Sequence, residues 1–481
     1  MDAVCINQSN QEEKESQINI MRIIYKQAGR VLIWLGEDCN KQAEPAFRML
    51  NRLARKEDDM PPSNNPSWHP VLPLYDQHWF SRVWIIQEVA MATCASVIWG
   101  STEAPWETVS YGSAVIATLG YQLTRGLSVS GVHNAHVLHK LARLCSDRRY
   151  SLLHWLELTR NFKATNPRDH IYALLGILEG DIVRDGQGIL APNYARTTRS
   201  LYTAVARKIM KHMASLDALS AVQQNTITRY RPTWVPRWNF SLYQTIGLFD
   251  PNVKGYQTSE GLPQLQPTWV RRYGQILKVT GLEFDRVMEA SEVVPGAGHS
   301  NHDQIKTLAK ILARTLSTCS SYPTNQCIEK VCCWTATAGK DHYGELIANA
   351  CKHFDDFVTF CSNYGISLSR ARLQPALRQI SCTQEVTDRY QTAALNSCAG
   401  RKWLKTAKGY IALGPPAAQH GDIICILCSA IVPFILRKVY SNKFGKRYVL
   451  VGEAYIHGIM NGEAVEKCRM EGIPLVTFEI E

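Results

Sequence analysis

The sequence is short of the features that would set it apart from ordinary globular chains. It opens on MDAVCINQ and turns polar at once, without the basic segment and apolar stretch that direct secretion. Long hydrophobic runs are missing: the longest, Ile423 to Leu436, is ~14 residues, contains Pro433, and falls short of the ~20 that a membrane helix needs. No transmembrane segment is expected. Cysteines number fifteen, but an odd, scattered set excludes a disulfide framework and reads as free thiols in a reducing, cytoplasmic setting. Charge of one sign is also sparse. A formal net charge of +11 is modest at this length, and no dense Lys/Arg block with interleaved aromatics tracks a phosphate backbone, so no nucleic-acid partner is expected. The nearest group, Lys438, Lys443, Lys446 and Arg447, reads as a solvated hairpin tip.

Metal-ligand spacing is lacking as well. His133, His136 and His139 spread over about 120° of a helix and do not converge on one ion. Cys425-x-x-Cys428 has no second pair, and Cys332-Cys333 are adjacent. No metal centre is expected, and no internal repeat or low-complexity tract is present.

What is present is a globular composition, 45% hydrophobic and 20% charged, over 481 residues, more than one core usually spans. The first hundred residues alternate strand and helix, the pattern of a parallel sheet flanked by helices. Val4–Ile6 reads as the end of a strand. Ser9 and Glu12 form a capping box for a helix whose apolar positions are Ile18, Met21, Tyr25 and Ala28, stopped at Gly29. Val31–Trp34 and Ala95–Trp99 read as short buried strands. Between them, residues 55–73, with five prolines, read as an inserted surface loop, and a helix is expected from His78 to Thr93. Residues 105–405 are expected to be mainly helical, with Asn166-Pro167 opening one helix. Residues 406–481 read as an independent small antiparallel β module built on the runs Gly409–Leu413, Asp422–Leu427, Val432–Leu436 and Tyr448–Tyr455.

Five segments carry a family resemblance. Asp2-Ala3-Val4-Cys5-Ile6-Asn7-Gln8 with Gln17, Met21, Tyr25 and the run VLIWLG resembles the opening pattern of fungal heterokaryon-incompatibility (HET) domains. Trp79-Phe80-Ser81-Arg82-Val83-Trp84 with Gln87-Glu88 is similar to that family's WFxRxWxxQE segment, and Arg168-Asp169 with Tyr172-Ala173-Leu174-Leu175-Gly176 to its RDxxYALLG segment. Trp234-Val235-Pro236 and the stretch from Val451 to Glu463 resemble regions that follow the domain. Arg237 departs from the pattern, standing where an acidic residue is common. The family's YxALSYxWG-like strand and helix do not precede Met1, so residues 1–104 are expected to be an N-terminally truncated HET domain.

The resemblance implies a TIR-like α/β fold. It also implies a role in non-self recognition and programmed cell death, through self-association or another incompatibility protein. A TIR-like domain can hydrolyse NAD with a glutamate four residues after a tryptophan, the spacing of Trp84 and Glu88. On a helix, positions 80, 84 and 88 would share a face. The alternative for Glu88 is an ion pair with an arginine such as Arg82 or Arg168. Asn7 and Gln8 could offer amides to a phosphate or adenine, or cap the turn. Cys5 reads as a buried thiol rather than a nucleophile, and the Arg168-Asp169 pair as structural. No bound cofactor is implied, NAD entering only as substrate. The competing reading is a non-catalytic scaffold, of the kind that can accompany secondary-metabolite gene clusters.

Overall fold

The computed structural model describes residues 7, 10–55, 65–123, 130–144, 149–175, 177, 191–227, 232–248, 250–270, 275–296, 298–368, 384–441 and 445–481. Val4–Ile6, Cys5, Gln8, Ser9 and Lys443 lie outside them. The chain forms two compact units, one of residues 1–205 with 238–240, the other of 206–237 with 241–481. The sequence places divisions at 104 and 405 instead. Among the described residues no helix is long and apolar enough to cross a membrane.

The first unit is built on a small mixed sheet. Helix α1 (Gln11–Gln27) leads to strand β1 (Val31–Trp34), helix α2 (Ala43–Ala54), helix α3 (Val71–Tyr75), helix α4 (Ile85–Ala90), and strands β2 (Ala95–Trp99) and β3 (Thr102–Pro105). Both expected strands form with the expected bounds, and they pair in parallel with Val31 opposite Ala95. The third strand returns antiparallel to β2, so the sheet is mixed, in the order β1-β2-β3. Gly100 turns that hairpin with φ +59°, and a Cβ there would come within 2.8 Å of the Asp38 side chain. Asp38 is fixed in turn by accepting the Gln42 and Ala43 backbone N–H groups, both at 2.8 Å, at the start of α2.

Helices α5 (Trp106–Leu123), α6 (Ser130–Leu144), α7 (Leu152–Leu158), α8 (Asp169–Leu175) and α9 (Thr198–Met213) follow, the division into units falling within α9. α6 starts against Tyr75 so closely that a Cβ on Gly131 would lie 1.7 Å from the Tyr75 carbonyl oxygen; only glycine fits. The Tyr75 hydroxyl donates to the Val109 carbonyl at 2.6 Å, tying α3 to α5.

Four local expectations are corrected here. The cap of α1 is Asn10, whose side chain accepts from Glu13 N at 3.1 Å, one residue later than the Ser9–Glu12 box. The expected loop over 55–73 does not hold at its end: Trp68 and Val71 are buried, and helix α3 begins at Val71. The 78–93 helix is broken, because Arg82 is extended (ψ 136°) and bridges Lys163, Val83 donating its N–H to the Lys163 carbonyl at 2.9 Å. A contact eighty residues away overrides the local periodicity. Finally, β1 is buried on one face only: Val31 and Ile33 are buried, whereas Leu32 and Trp34 are 59% and 53% exposed. On α1, Ile20, Ile23 and Ile24 are exposed as well.

The second unit is dominated by one sheet. Its strands are β4 (Thr268–Val270), β5 (Ile276–Val293), β6 (Lys402–Thr406), β7 (Ile411–Gly414), β8 (Ile423–Leu427), β9 (Phe434–Ser441), β10 (Gly445–Glu453), β11 (Tyr455–Ile456) and β12 (Val476–Ile480). Helices α10 (Asn301–Thr318), α11 (Ile328–Ala336), α12 (Ala350–Asn363) and α13 (Gln384–Cys398) separate β5 from β6, and α14 (Glu463–Met470) precedes β12. β5, eighteen residues long, pairs first with β12, then with β8, and beyond Val287 with β6. Because β8 also pairs β9, β9 pairs β10 and β10 pairs β12, strands β5-β12-β10-β9-β8 close into a barrel, and β6-β7-β11 extend the sheet outward. The residues after 406 therefore do not make their sheet alone: its longest strand comes from the stretch read as helical. The β9–β10 hairpin carries Lys438, Lys446 and Arg447, but it is not wholly the solvated tip expected: Arg447 is buried and pairs with Glu479.

Candidate functional site

The motif segments of the first unit meet around one carboxylate. Asp169, at the start of α8 and buried, accepts the Trp84 indole N–H at Oδ2 (3.2 Å) and the Tyr194 hydroxyl at Oδ1 (2.5 Å). Burial and that carboxylate push the Tyr194 phenol far above its usual pKa, which keeps it a donor. The Arg168 guanidinium lies 5.2 Å from the Tyr194 ring centroid and donates to the Tyr194 and Arg196 carbonyls. Asn166 accepts both the Arg168 N–H and its Nε–H, so the Asn-Pro start does cap this turn, although the helix proper begins at Asp169. Gln87 donates to the Tyr172 carbonyl at 3.2 Å, and the Tyr172 hydroxyl donates to the Asn193 carbonyl at 2.9 Å. From α1, Glu15 accepts the Tyr194 N–H at 2.5 Å.

The sequence-derived residues fare differently. Trp84 and Glu88 stay one turn apart, Glu88 N–H reaching the Trp84 carbonyl at 3.4 Å. Phe80 does not continue their face. It sits in a separate 3-10 turn, fully buried against Tyr75, Trp79 and Trp106. The Trp84 indole is directed at Asp169, and the described bonds of Arg168 run to Asn166 and to carbonyls. Glu88 is half-buried. Asn7 is exposed; its N–H donates to the Glu13 carboxylate at 3.0 Å and its carbonyl accepts the Asn10 N–H, a capping turn. Gln8 lies outside the described residues.

His133, His136 and His139 line one helix, α6, where burial lowers the pKa of each, that of His136 to about 4. Among the described residues no group of His, Cys, Asp or Glu could hold a metal ion. Cys332, Cys333 and Cys425 are buried thiols that burial pushes well above their usual pKa, which leaves them unreactive.

A second polar cluster lies in the second unit and escapes sequence reading. Arg401 and Glu453, neither exposed at all, pair at 2.6 Å. Glu453 also accepts the Ile246 and Gly247 N–H groups at 2.6 and 2.9 Å. The Arg401 guanidinium stacks 4.0 Å from the Tyr243 ring centroid and donates to the Gln244 carbonyl. Lys340 reaches the Thr245 carbonyl at 3.3 Å, and burial pulls its pKa down to about 8 against the opposing pull of Glu453. Glu453 sits in a recognisable segment; nothing around Arg401 marks it.

Comparison with known proteins agrees with both units. The family model "Heterokaryon incompatibility protein (HET)" matches residues 1–88, ending on the glutamate at the close of the Trp84 segment. The "Het-6 beta-barrel domain" model matches residues 346–476, the part of the chain that supplies most of the barrel strands. The two matches support a fungal heterokaryon incompatibility protein. It is similar to "Heterokaryon incompatibility protein 6, OR allele" of Neurospora crassa, with 24% identity over 99% of this chain and 82% of that protein. No solved structure matches this HET protein.

Proposed function

We propose that this HET protein acts in non-self recognition between fused fungal cells and drives programmed cell death by association, with a second copy or with another incompatibility protein. The likeness to the Neurospora incompatibility protein over nearly the whole chain supports the reading. The structural observation that carries it is the set of exposed apolar side chains on β1 and α1 of the first unit. Leu32 and Trp34 on β1, and Ile20, Ile23 and Ile24 on α1, are exposed in a unit whose other strand residues are largely buried. Exposed apolar clusters of this kind mark association surfaces.

A TIR-like arrangement of the first unit, acting in the cytoplasm, belongs to this proposal, as does NAD hydrolysis. In that enzymatic form Glu88 holds the ribose hydroxyls and stabilises an oxocarbenium-like transition state as nicotinamide leaves. Trp84 supports it from one turn away, and Asn7 and Gln8 offer amides to the phosphate or adenine. The non-catalytic alternative is favoured by the engagement of Trp84 and Gln87 in holding α4 to α8.

The test is cell death on expression of the full chain in a compatible strain. Leu32→Lys with Trp34→Glu, at exposed positions, is expected to abolish killing and lower the sedimenting mass without changing the melting temperature. Full killing by that variant would retire the association surface. Glu88→Gln is expected to lower killing and NAD turnover at least about tenfold, roughly 1.4 kcal/mol of transition-state stabilisation, if the enzymatic form holds. Unchanged killing with unchanged stability would leave the non-catalytic form.

A further inference from the structure

Away from the Asp169 cluster, the first unit contains a cleft of about 380 Å3 between the end of α2, the segment after α4, and helices α5 and α6. Its apolar lining includes Val89, Ala92, Ala95 and Trp106, the last largely buried against Trp79 and Phe80. Its wall is polar: Glu107 and Ser110 come from α5, His139 and Arg143 from α6.

The hydrogen bonds on that wall run in one direction. The Arg143 guanidinium can only donate, so His139 Nε2 accepts from its Nη1 at 3.3 Å and the neutral ring carries its hydrogen on Nδ1, 3.1 Å from Ser110 Oγ. Ser110 Oγ then accepts from Nδ1 and gives its own proton to the Glu107 carbonyl at 3.2 Å. Burial and Arg143 lower the His139 pKa, consistent with this neutral tautomer. The direction excludes a nucleophilic serine, because His139 offers Ser110 a proton instead of taking one. What the chain does is hold the Arg143 guanidinium at the cleft with four of its five N–H donors unspent on His139.

Arg143 lines the cleft, is exposed, and forms no salt bridge with a carboxylate among the described residues. Its planar fork matches a carboxylate in two parallel hydrogen bonds. Glu107 on the same wall disfavours a dianion such as phosphate. The apolar lining suits a ring, and the volume is at the lower end of the roughly 300–1,000 Å3 range of small-molecule pockets. The geometry points to a binding site for an aromatic monocarboxylate, its ring on the apolar lining and its carboxylate on Arg143. The ligand is either a deaminated aromatic acid or an aromatic amino acid whose ammonium group meets Glu107.

Calorimetric titration of the full chain tests this with three probes of one ring system: indole-3-acetate, its neutral amide indole-3-acetamide, and tryptophan. At least one of the two acids is expected to bind saturably and at least about tenfold more tightly than the amide. Arg143→Gln, at an exposed position, is expected to bring acid and amide to parity while the melting temperature of the unliganded chain stays unchanged. Ala92→Leu is expected to abolish both by filling the apolar side of the cleft. If tryptophan is the tighter acid and Glu107→Gln removes its advantage, the ligand is an amino acid; if indole-3-acetate is tighter, it is a deaminated acid. Absence of saturable binding by both acids at millimolar concentration, equal affinity for acid and amide, or undiminished preference in Arg143→Gln would each overturn the site.

Discussion

The two units solve the same problem, a sheet with edges and faces to cover, in opposite ways. In the first, β1 presents one buried and one exposed face, and large apolar side chains remain in water. In the second, five strands close on themselves, so the ladder runs from β5 back to β5 and the inner residues of β8, β9 and β10 are buried almost without exception. Closure removes edges that would otherwise pair with other chains. The difference teaches where association through a strand face is expected: β1 of the open unit keeps an exposed apolar face, whereas the five barrel strands pair with one another and only the β6-β7-β11 extension keeps an open edge.

Buried charge sharpens the comparison. The closed unit encloses Glu453 with a guanidinium and two backbone N–H groups, so Glu453→Ala should have the largest effect of any single change discussed here. It strands Arg401 in a dry interior and should cost about 3–5 kcal/mol, read as a lower denaturant midpoint. A loss under 1 kcal/mol would mean that water reaches Arg401 and that the barrel is less closed than its pairing indicates. In the open unit Asp169 is held by the Trp84 indole and the Tyr194 hydroxyl. Asp169→Ala should cost about 2–3 kcal/mol by leaving buried donors without their acceptor. An equal or larger loss than for Glu453→Ala would reverse the ranking of the two units.

A third effect is one of pH. Lys340 has its pKa lowered to about 8 in the native state from an ordinary 10.5, so between those values the unfolded chain holds a proton that the native chain has released. Stability attributable to Lys340 therefore rises with pH through that window. Other groups titrate there too, so the measurement is a difference: wild type should gain on Lys340→Met as pH rises from 8 to 10.5. A constant difference across the window would remove Lys340 from the buried cluster.

Legibility in the sequence followed the range of the forces involved. β1 and β2 were readable to the residue because short runs of four or five apolar residues between turn signals are set locally. The helix expected at 78–93 failed because Arg82 answers to Lys163, a partner no local pattern reveals. β5 was missed for a related reason. Its second half, Val287–Val293, is Met-Glu-Ala-Ser-Glu-rich and reads as helix, but its pairing with β6 overrides propensity through two register shifts. At the candidate site, Trp84, Gln87, Asp169 and Tyr172 all lay in readable segments, whereas Tyr194 lay outside them and yet makes the shortest bond to Asp169.

β5 also has a consequence in time. It leaves the ribosome more than a hundred residues before β6, and earlier still before β8 and β12, all of which it must pair with. At about 5–20 residues per second, it waits several seconds to tens of seconds with both edges unsatisfied apart from the short pairing of β4 with Ile276–Lys278. Non-local pairing of this order makes folding slow and exposes the nascent chain to aggregation. The closed barrel that protects the finished unit is thus the last thing its synthesis permits, and the growing chain should depend on chaperones until Ile480 is in place.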